Sequence, residues 1–221
     1  MRRLQKFTVP TTNNCHLIVF AKAPVPGTVK TRLAPALNQE MAALLHVALV
    51  ERTLNTARDS GVASMELCCA PDTRHSFFST CAEDFGASLS PQGEGNLGDR
   101  MLAALARALK THRAAIIVGA DCPALTGQHI AEAATMLATH DAVLTPADDG
   151  GYVLIGATRT DPRMFEDIEW GGDHVLARQR QNFSVLGYRW HEMPTLWDVD
   201  RPEDLLRLKA LKPPLDFFWP A

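Results

Sequence analysis

Several acids and bases of this chain stand where short apolar runs give way to turns, the places from which an α/β protein reaches its ligands. Asp121 closes the run Ala115-Ile-Ile-Val-Gly-Ala-Asp121, and a carboxylate there offers hard oxygen suited to Mg²⁺ or Mn²⁺. Taken alone, it reads more commonly as the cap of a turn into the next helix. Asp198 and Asp200 alternate in Trp197-Asp-Val-Asp-Arg-Pro-Glu-Asp-Leu205, which puts both on one side of an extended segment. Asp200 with Glu203 makes a capping box, and Pro202 suits a first helical turn. That explains Asp200 without explaining Asp198, so one of the pair could share a cation with Asp121. Asp148 and Asp149 precede Gly150-Gly151-Tyr152. Either is a candidate base for an acceptor hydroxyl, although a hairpin turn of Asp and Gly needs no function.

The cations are grouped as well. Lys22, Lys30 and Arg32 occupy a proline-containing loop directly after an apolar run, an arrangement suited to phosphate and equally to a solvated surface. Neither GxxxxGK[ST] nor GxGxxG occurs there. Gln92-Gly-Glu-Gly-Asn-Leu-Gly98-Asp-Arg100-Met101 places three glycines where backbone can approach a base or ribose. It reads equally as a connection with Asp99 and Arg100 in a first helical turn. His174 either faces the site or simply starts a helix, the commoner role for a lone His.

Positioning these groups requires a sheet. Strands are expected at 16–21, 64–70, 87–90, 115–118, 141–146, 152–156 and 183–190, the sixth antiparallel because its connection is too short for a crossover. Helices alternate with them. The clearest spans 39–60, with Leu44, Leu45, Ala48, Leu49 and Leu54 on one side, and reads as scaffold. Others are expected at 74–85, 102–110, 126–139 and 174–181, with a last one after Pro202. Such alternation makes an α/β fold, whose ligands bind beyond the carboxyl ends of the strands.

Composition narrows the function classes. A chain of 221 residues with net charge −3 gives no electrostatic case for nucleic acid. Phosphate binding must then be local. The five cysteines are odd in number and lack CxxC spacing, which points away from disulfides and zinc and towards a reducing cytoplasm. No apolar run reaches membrane-spanning length. The expected organisation is a loose segment 1–14, one domain over 15–211, and an apolar tail 212–221 that packs on the domain or on a partner chain, as in a homodimer.

AKxPxxGxVKTRL, QxxGxLGxRM, GADCPxL, DDGGYxLIG and WDVDxPEDL follow in this order over nearly the whole chain. The series resembles the small GT-A-fold glycosyltransferase-like proteins, relatives of the 2-phospho-L-lactate guanylyltransferases and, further off, of the molybdenum-cofactor nucleotidyltransferases. That resemblance implies a Rossmann-like three-layer mixed sheet of the nucleotide-diphospho-sugar transferase (GT-A) type. It implies nucleotide near the first loop (Ala21, Lys22, Gly27, Lys30, Arg32) and near the glycine-rich loop (Gln92, Gly98, Arg100). It also implies Mg²⁺ or Mn²⁺ on Asp121 with Asp198 or Asp200. The expected activity is transfer from a nucleotide or nucleotide-sugar donor to a small-molecule acceptor of unknown identity. The first loop lacks GGxxxRMG, which favours glycosyl transfer; nucleotidyl transfer with pyrophosphate release and noncatalytic nucleotide binding are the alternatives. On this reading Lys30→Ala and Arg32→Ala weaken nucleotide binding and leave the fold intact. Asp121→Asn abolishes metal-dependent binding at little cost in stability.

Overall fold

Each of the short apolar runs must cover two faces at once, so the chain lays them side by side and packs helices above and below. The computed structural model describes residues 14–34 and 36–219. The segment 1–14, apart from Asn14, lies outside the described residues, as do the last two residues of the tail. In chain order the elements are β1 (Cys15–Lys22), α1 (Gln39–Asp59), β2 (Ser64–Ala70), α2 (Ser76–Phe85), β3 (Ser88–Pro91), α3 (Leu97–Ala108), β4 (Ala114–Gly119), α4 (Gly127–Met136), β5 (Ala142–Pro146), β6 (Tyr152–Ala157), α5 (Val175–Val185), β7 (Trp190–Glu192) and α6 (Asp204–Lys209).

The seven strands lie in the order β3-β2-β1-β4-β6-β5-β7. As expected, β6 runs antiparallel to both its neighbours, β4 and β5, whereas the other pairs are parallel. The fold is therefore the mixed α/β sheet expected from the motifs. From β1 the chain winds outward through β2 and β3, then returns to lay β4 on the other side of β1. Strand order reverses there, which opens a crevice beyond the carboxyl ends of β1 and β4. Phe20 pairs with Gly119 across these strands, so Lys22 and Asp121, each two residues further on, emerge together at that crevice.

Alternation along β1 divides the core. Leu17 and Val19 meet Val50 and Leu54 of α1, Phe78 of α2 and Ile130 of α4, while Ile18 and Phe20 meet Met101 and Leu105 of α3 and Leu176 of α5. A third cluster joins Leu45 and Leu49 of α1 to Leu33 of the first loop and to Val199, Leu205, Leu208 and Leu215. It holds the C-terminal part of the chain against the first loop, each buried leucine contributing about 2 kcal/mol. The tail completes this cluster, with Phe217 and Trp219 edge to face at 4.9 Å and Lys209 Nζ 4.9 Å from the Trp219 ring.

Four local expectations need correction. Helix α3 starts at Leu97 rather than Leu102, because Asn96 accepts the Asp99 N–H at 3.1 Å and Asp99 accepts the Asn96 N–H at 2.9 Å. Helix α5 runs on to Val185 with Phe183 in the core, and the late strand is the short β7. Asp200 and Glu203 form no capping box; Asp204 instead accepts the N–H groups of Asp200 (3.0 Å) and Arg201 (2.7 Å). Leu44 turns to solvent, unlike the other leucines named on α1.

Candidate functional site

The first loop turns a lysine inward. Lys30 has φ 51°, a left-handed conformation costing a non-glycine residue about 1 kcal/mol, and its ammonium lies 2.6 Å from Asp121 Oδ1 while donating to the Val199 carbonyl at 2.5 Å. Only 4% of the side chain is exposed. The Val199 N–H in turn donates to the Asp121 carbonyl at 2.9 Å. The segment carrying Asp198 and Asp200 is thus clamped to the end of β4 through the backbone between them.

Helix α1 is more than scaffold, since it contributes His46. Its Nε2 lies 3.0 Å from the Lys22 carbonyl, which can only accept, so Nε2 carries the proton and Nδ1 is bare. Burial lowers the His46 pKa, in keeping with a neutral ring. Among the described residues Nδ1 is enclosed without a hydrogen bond, 4.0 Å from Asp121 Oδ1, the oxygen that pairs with Lys30. The sequence does carry a signal for this residue: it is a lone histidine beside Leu45 and Leu49 on a face that otherwise reads as apolar.

The carboxylates divide into groups with and without partners. Burial works to raise the Asp121 pKa, but the Lys30 ammonium outweighs it and holds the acid below its ordinary range; 48% of the side chain is nevertheless exposed, at the crevice. Burial, with the charges of Asp149 and Asp121 added, pushes Asp198 up to about 6. Asp200 Oδ2 pairs with Arg32 Nη1 at 2.7 Å. Asp148 is drawn away by Arg207 Nη1 at 2.9 Å, whereas Asp149 accepts the Gly151 N–H at 2.9 Å and stays near Asp198. His174 precedes α5, 91% exposed beside Asp173.

Two cavities meet at this edge. The first, about 400 Å³, is lined by Ala21, Lys22, Lys30, Arg32, Gln92 and Arg100, with Asp121, Asp200 and His46 among the other walls. Gln92 forms part of it through a fixed amide: its Nε2 donates to the Cys68 and Ala21 carbonyls at 3.0 and 3.3 Å, and its Oε1 accepts from Arg100 at 3.0 Å. Gly27 and Gly98 stand outside its lining. Gly27 has φ +80°, a conformation that favours glycine, and a Cβ on Gly98 would meet Phe165 and Trp170 at 2.8 and 2.9 Å, so backbone conformation accounts for the one and packing for the other. The second cavity, about 210 Å³, shares Phe20, Leu97 and Gly119 with the first and is walled mostly by apolar side chains.

Among the described residues no three His, Cys, Asp or Glu side chains form a group able to hold a metal. The donors do fit a cation that arrives with phosphates, because Mg²⁺ commonly takes one or two carboxylates and completes its shell with phosphate oxygens and water. Asp198, raised by burial and by neighbouring acids, and the exposed part of Asp121 offer that pair. Asp200 is engaged by Arg32.

The family described as "Uncharacterized protein conserved in bacteria (DUF2064)" matches residues 53–172, more than half of the 221. The chain belongs to that family. No curated protein matches it. Among solved structures it is similar to a candidate nucleotide-diphospho-sugar transferase of Desulfovibrio desulfuricans G20, with 26% identity and TM-score 0.79 over 87% of this chain and 85% of that one. A nucleotidyl transferase of Methanothermobacter thermautotroptrophicus shares the fold at 13% identity and TM-score 0.61, over 90% and 97% of the two chains. So does glucosyl-3-phosphoglycerate synthase of Mycobacterium tuberculosis, in complex with Mn²⁺, UDP and glucosyl-3-phosphoglycerate, at 11% identity and TM-score 0.57 over 95% and 82%. None of the described helices is long and apolar enough to cross a membrane.

Proposed function

We propose that the chain is a transferase acting on a nucleotide-activated donor, with a nucleotide sugar as that donor. One observation carries the reading: a cavity at the β1/β4 switch point combines Lys22, Lys30, Arg32 and Arg100 with an acidic edge, and it shares the walls Phe20, Leu97 and Gly119 with a second, apolar cavity. The basic side chains suit a diphosphate, and Gln92 with the glycine-rich loop suits the nucleoside. Asp121 and Asp198 would hold a divalent cation, which when bound neutralises charge on the departing phosphate oxygen. The likeness to the D. desulfuricans protein and the fold shared with a UDP- and Mn²⁺-bound synthase support the reading.

Asp149 is the better candidate base, because Arg207 draws Asp148 away while Asp149 lines the second cavity. An acceptor hydroxyl there gives its proton to Asp149 as its oxygen bonds to the anomeric carbon. The electron pair of the broken carbon–oxygen bond leaves on the nucleoside diphosphate, where Arg32 and Arg100 stabilise it. Nucleotidyl transfer is the second reading, favoured by the fold shared with nucleotidyltransferases. Incubation with nucleotide sugars and, separately, with nucleoside triphosphates separates the two. Nucleoside diphosphate release dependent on Asp149 supports the proposal, and pyrophosphate release from a triphosphate overturns it.

A further inference from the structure

The two cavities differ in charge, and the difference selects the ligand of the second. Among the described residues its lining contains no Lys, Arg or His, and one acid, Asp149. Phe20, Met101, Ile117, Ile155 and Val175 supply apolar walls. Tyr152 presents its ring while its hydroxyl turns to Gln179 Oε1 at 3.2 Å. Trp170 adds an indole whose Nε1 is enclosed. The indole is held in place by Phe165 and Tyr152, with ring centroids 6.2 and 6.5 Å away, and lies on α3 where Gly98 leaves room for it.

Resting on the reading of the first cavity as the nucleotide site, we propose that the second takes the acceptor and that this acceptor is a compact uncharged alcohol, aromatic or short-chain aliphatic. Its apolar body fills the cavity, and its hydroxyl meets the Asp149 carboxylate. A phosphorylated or carboxylated acid is disfavoured on two counts. Its charge would lose water among apolar walls without a compensating cation, and Asp149 would repel it. The small volume excludes large acceptors, since sites for drug-sized ligands begin at about 300 Å³.

Matched probes test the claim in wild-type protein: benzyl alcohol against benzoate and phenyl phosphate, each followed by saturation-transfer NMR. Benzyl alcohol is expected to bind saturably and the anions at least about tenfold more weakly. Asp149→Asn, which removes the charge and keeps the shape, should narrow that preference about fivefold. Equal or tighter binding of either anion overturns the proposal, as does benzyl alcohol that fails to bind. An unchanged preference in folded Asp149→Asn overturns the part assigned to its charge. Calorimetry with UDP, GDP, ADP and CDP on the same preparations keeps the two readings apart. Nucleotide binding without benzyl alcohol binding sinks only the acceptor proposal, and the converse removes the nucleotide site and with it the acceptor role.

Discussion

Asp198→Asn is expected to stabilise the ligand-free protein at neutral pH. Burial and the neighbouring charges of Asp149 and Asp121 raise this carboxyl from 3.8 to about 6, so the folded state binds its proton more tightly than the unfolded state does. The sign follows: stability associated with the group is fully present below about pH 4 and is lost as pH rises through 6. A shift of about two units corresponds to about 3 kcal/mol, an upper bound for a partly solvated group. Asparagine removes the charge and keeps the shape, so the variant should gain about 1–3 kcal/mol at pH 8, or about 2–12 °C in Tm for a chain of this length. The gain should vanish near pH 4. Differential scanning fluorimetry across pH 4–8 measures it directly. A variant no more stable than wild type at pH 8, or one whose gain persists unchanged at pH 4, would refute the picture of a buried acid held beside other acids.

Further outcomes follow from individual contacts. Lys30→Ala should destabilise the fold by about 3 kcal/mol, since it strands Asp121 without its buried partner, whereas Arg32→Ala, at an exposed pair, should cost under about 1 kcal/mol; chemical denaturation compares them. Glu66→Gln should flatten the acid limb of the stability curve. Burial works to raise Glu66, but hydrogen bonds from His16 and Ser90 with the Arg107 charge hold it down at about 2, so the wild type loses up to about 3 kcal/mol as pH falls from 4.5 to 2, and the variant should not. Gly150→Ala should lower Tm by several degrees and impair turnover. Its φ is +89° and a Cβ would sit 2.2 Å from the Asp173 carbonyl oxygen, so the Asp148–Gly151 turn and the loop before α5 would have to separate.

Much of the sheet is legible because its strands are buried on both faces: runs such as Ile116-Ile-Val118 admit few other readings. The order of motifs also leads to the correct family and fold. What escapes reading depends on contacts between distant parts of the chain. Gly98 looks like a loop glycine, yet it lies inside α3 because Trp170 and Phe165 occupy the space of a side chain. Phe183 to Trp190 looks like one strand, but the packing of Phe183 keeps its first half helical. Most consequential is the Lys30–Asp121 pair, 91 positions apart in sequence. It bears on two expectations: Lys30→Ala should now cost stability as well as nucleotide binding, and Asp121→Asn should be more than a simple relief of repulsion, because it leaves a buried ammonium without its counter-charge. His46 belongs to the same group of contacts and is hidden on a helix that reads as scaffold.

Titration calorimetry of nucleoside diphosphates into wild type and Arg100→Ala, with and without Mn²⁺, bears most directly on the central claim that the basic cavity at the β1/β4 switch point is a nucleotide diphosphate site. At least one diphosphate should bind wild type, more tightly with Mn²⁺. The same ligand should bind Arg100→Ala at least about tenfold more weakly, as for a charge-assisted contact of about 1.5–3 kcal/mol. Failure of all diphosphates to bind, or equal affinity in both proteins, would contradict it.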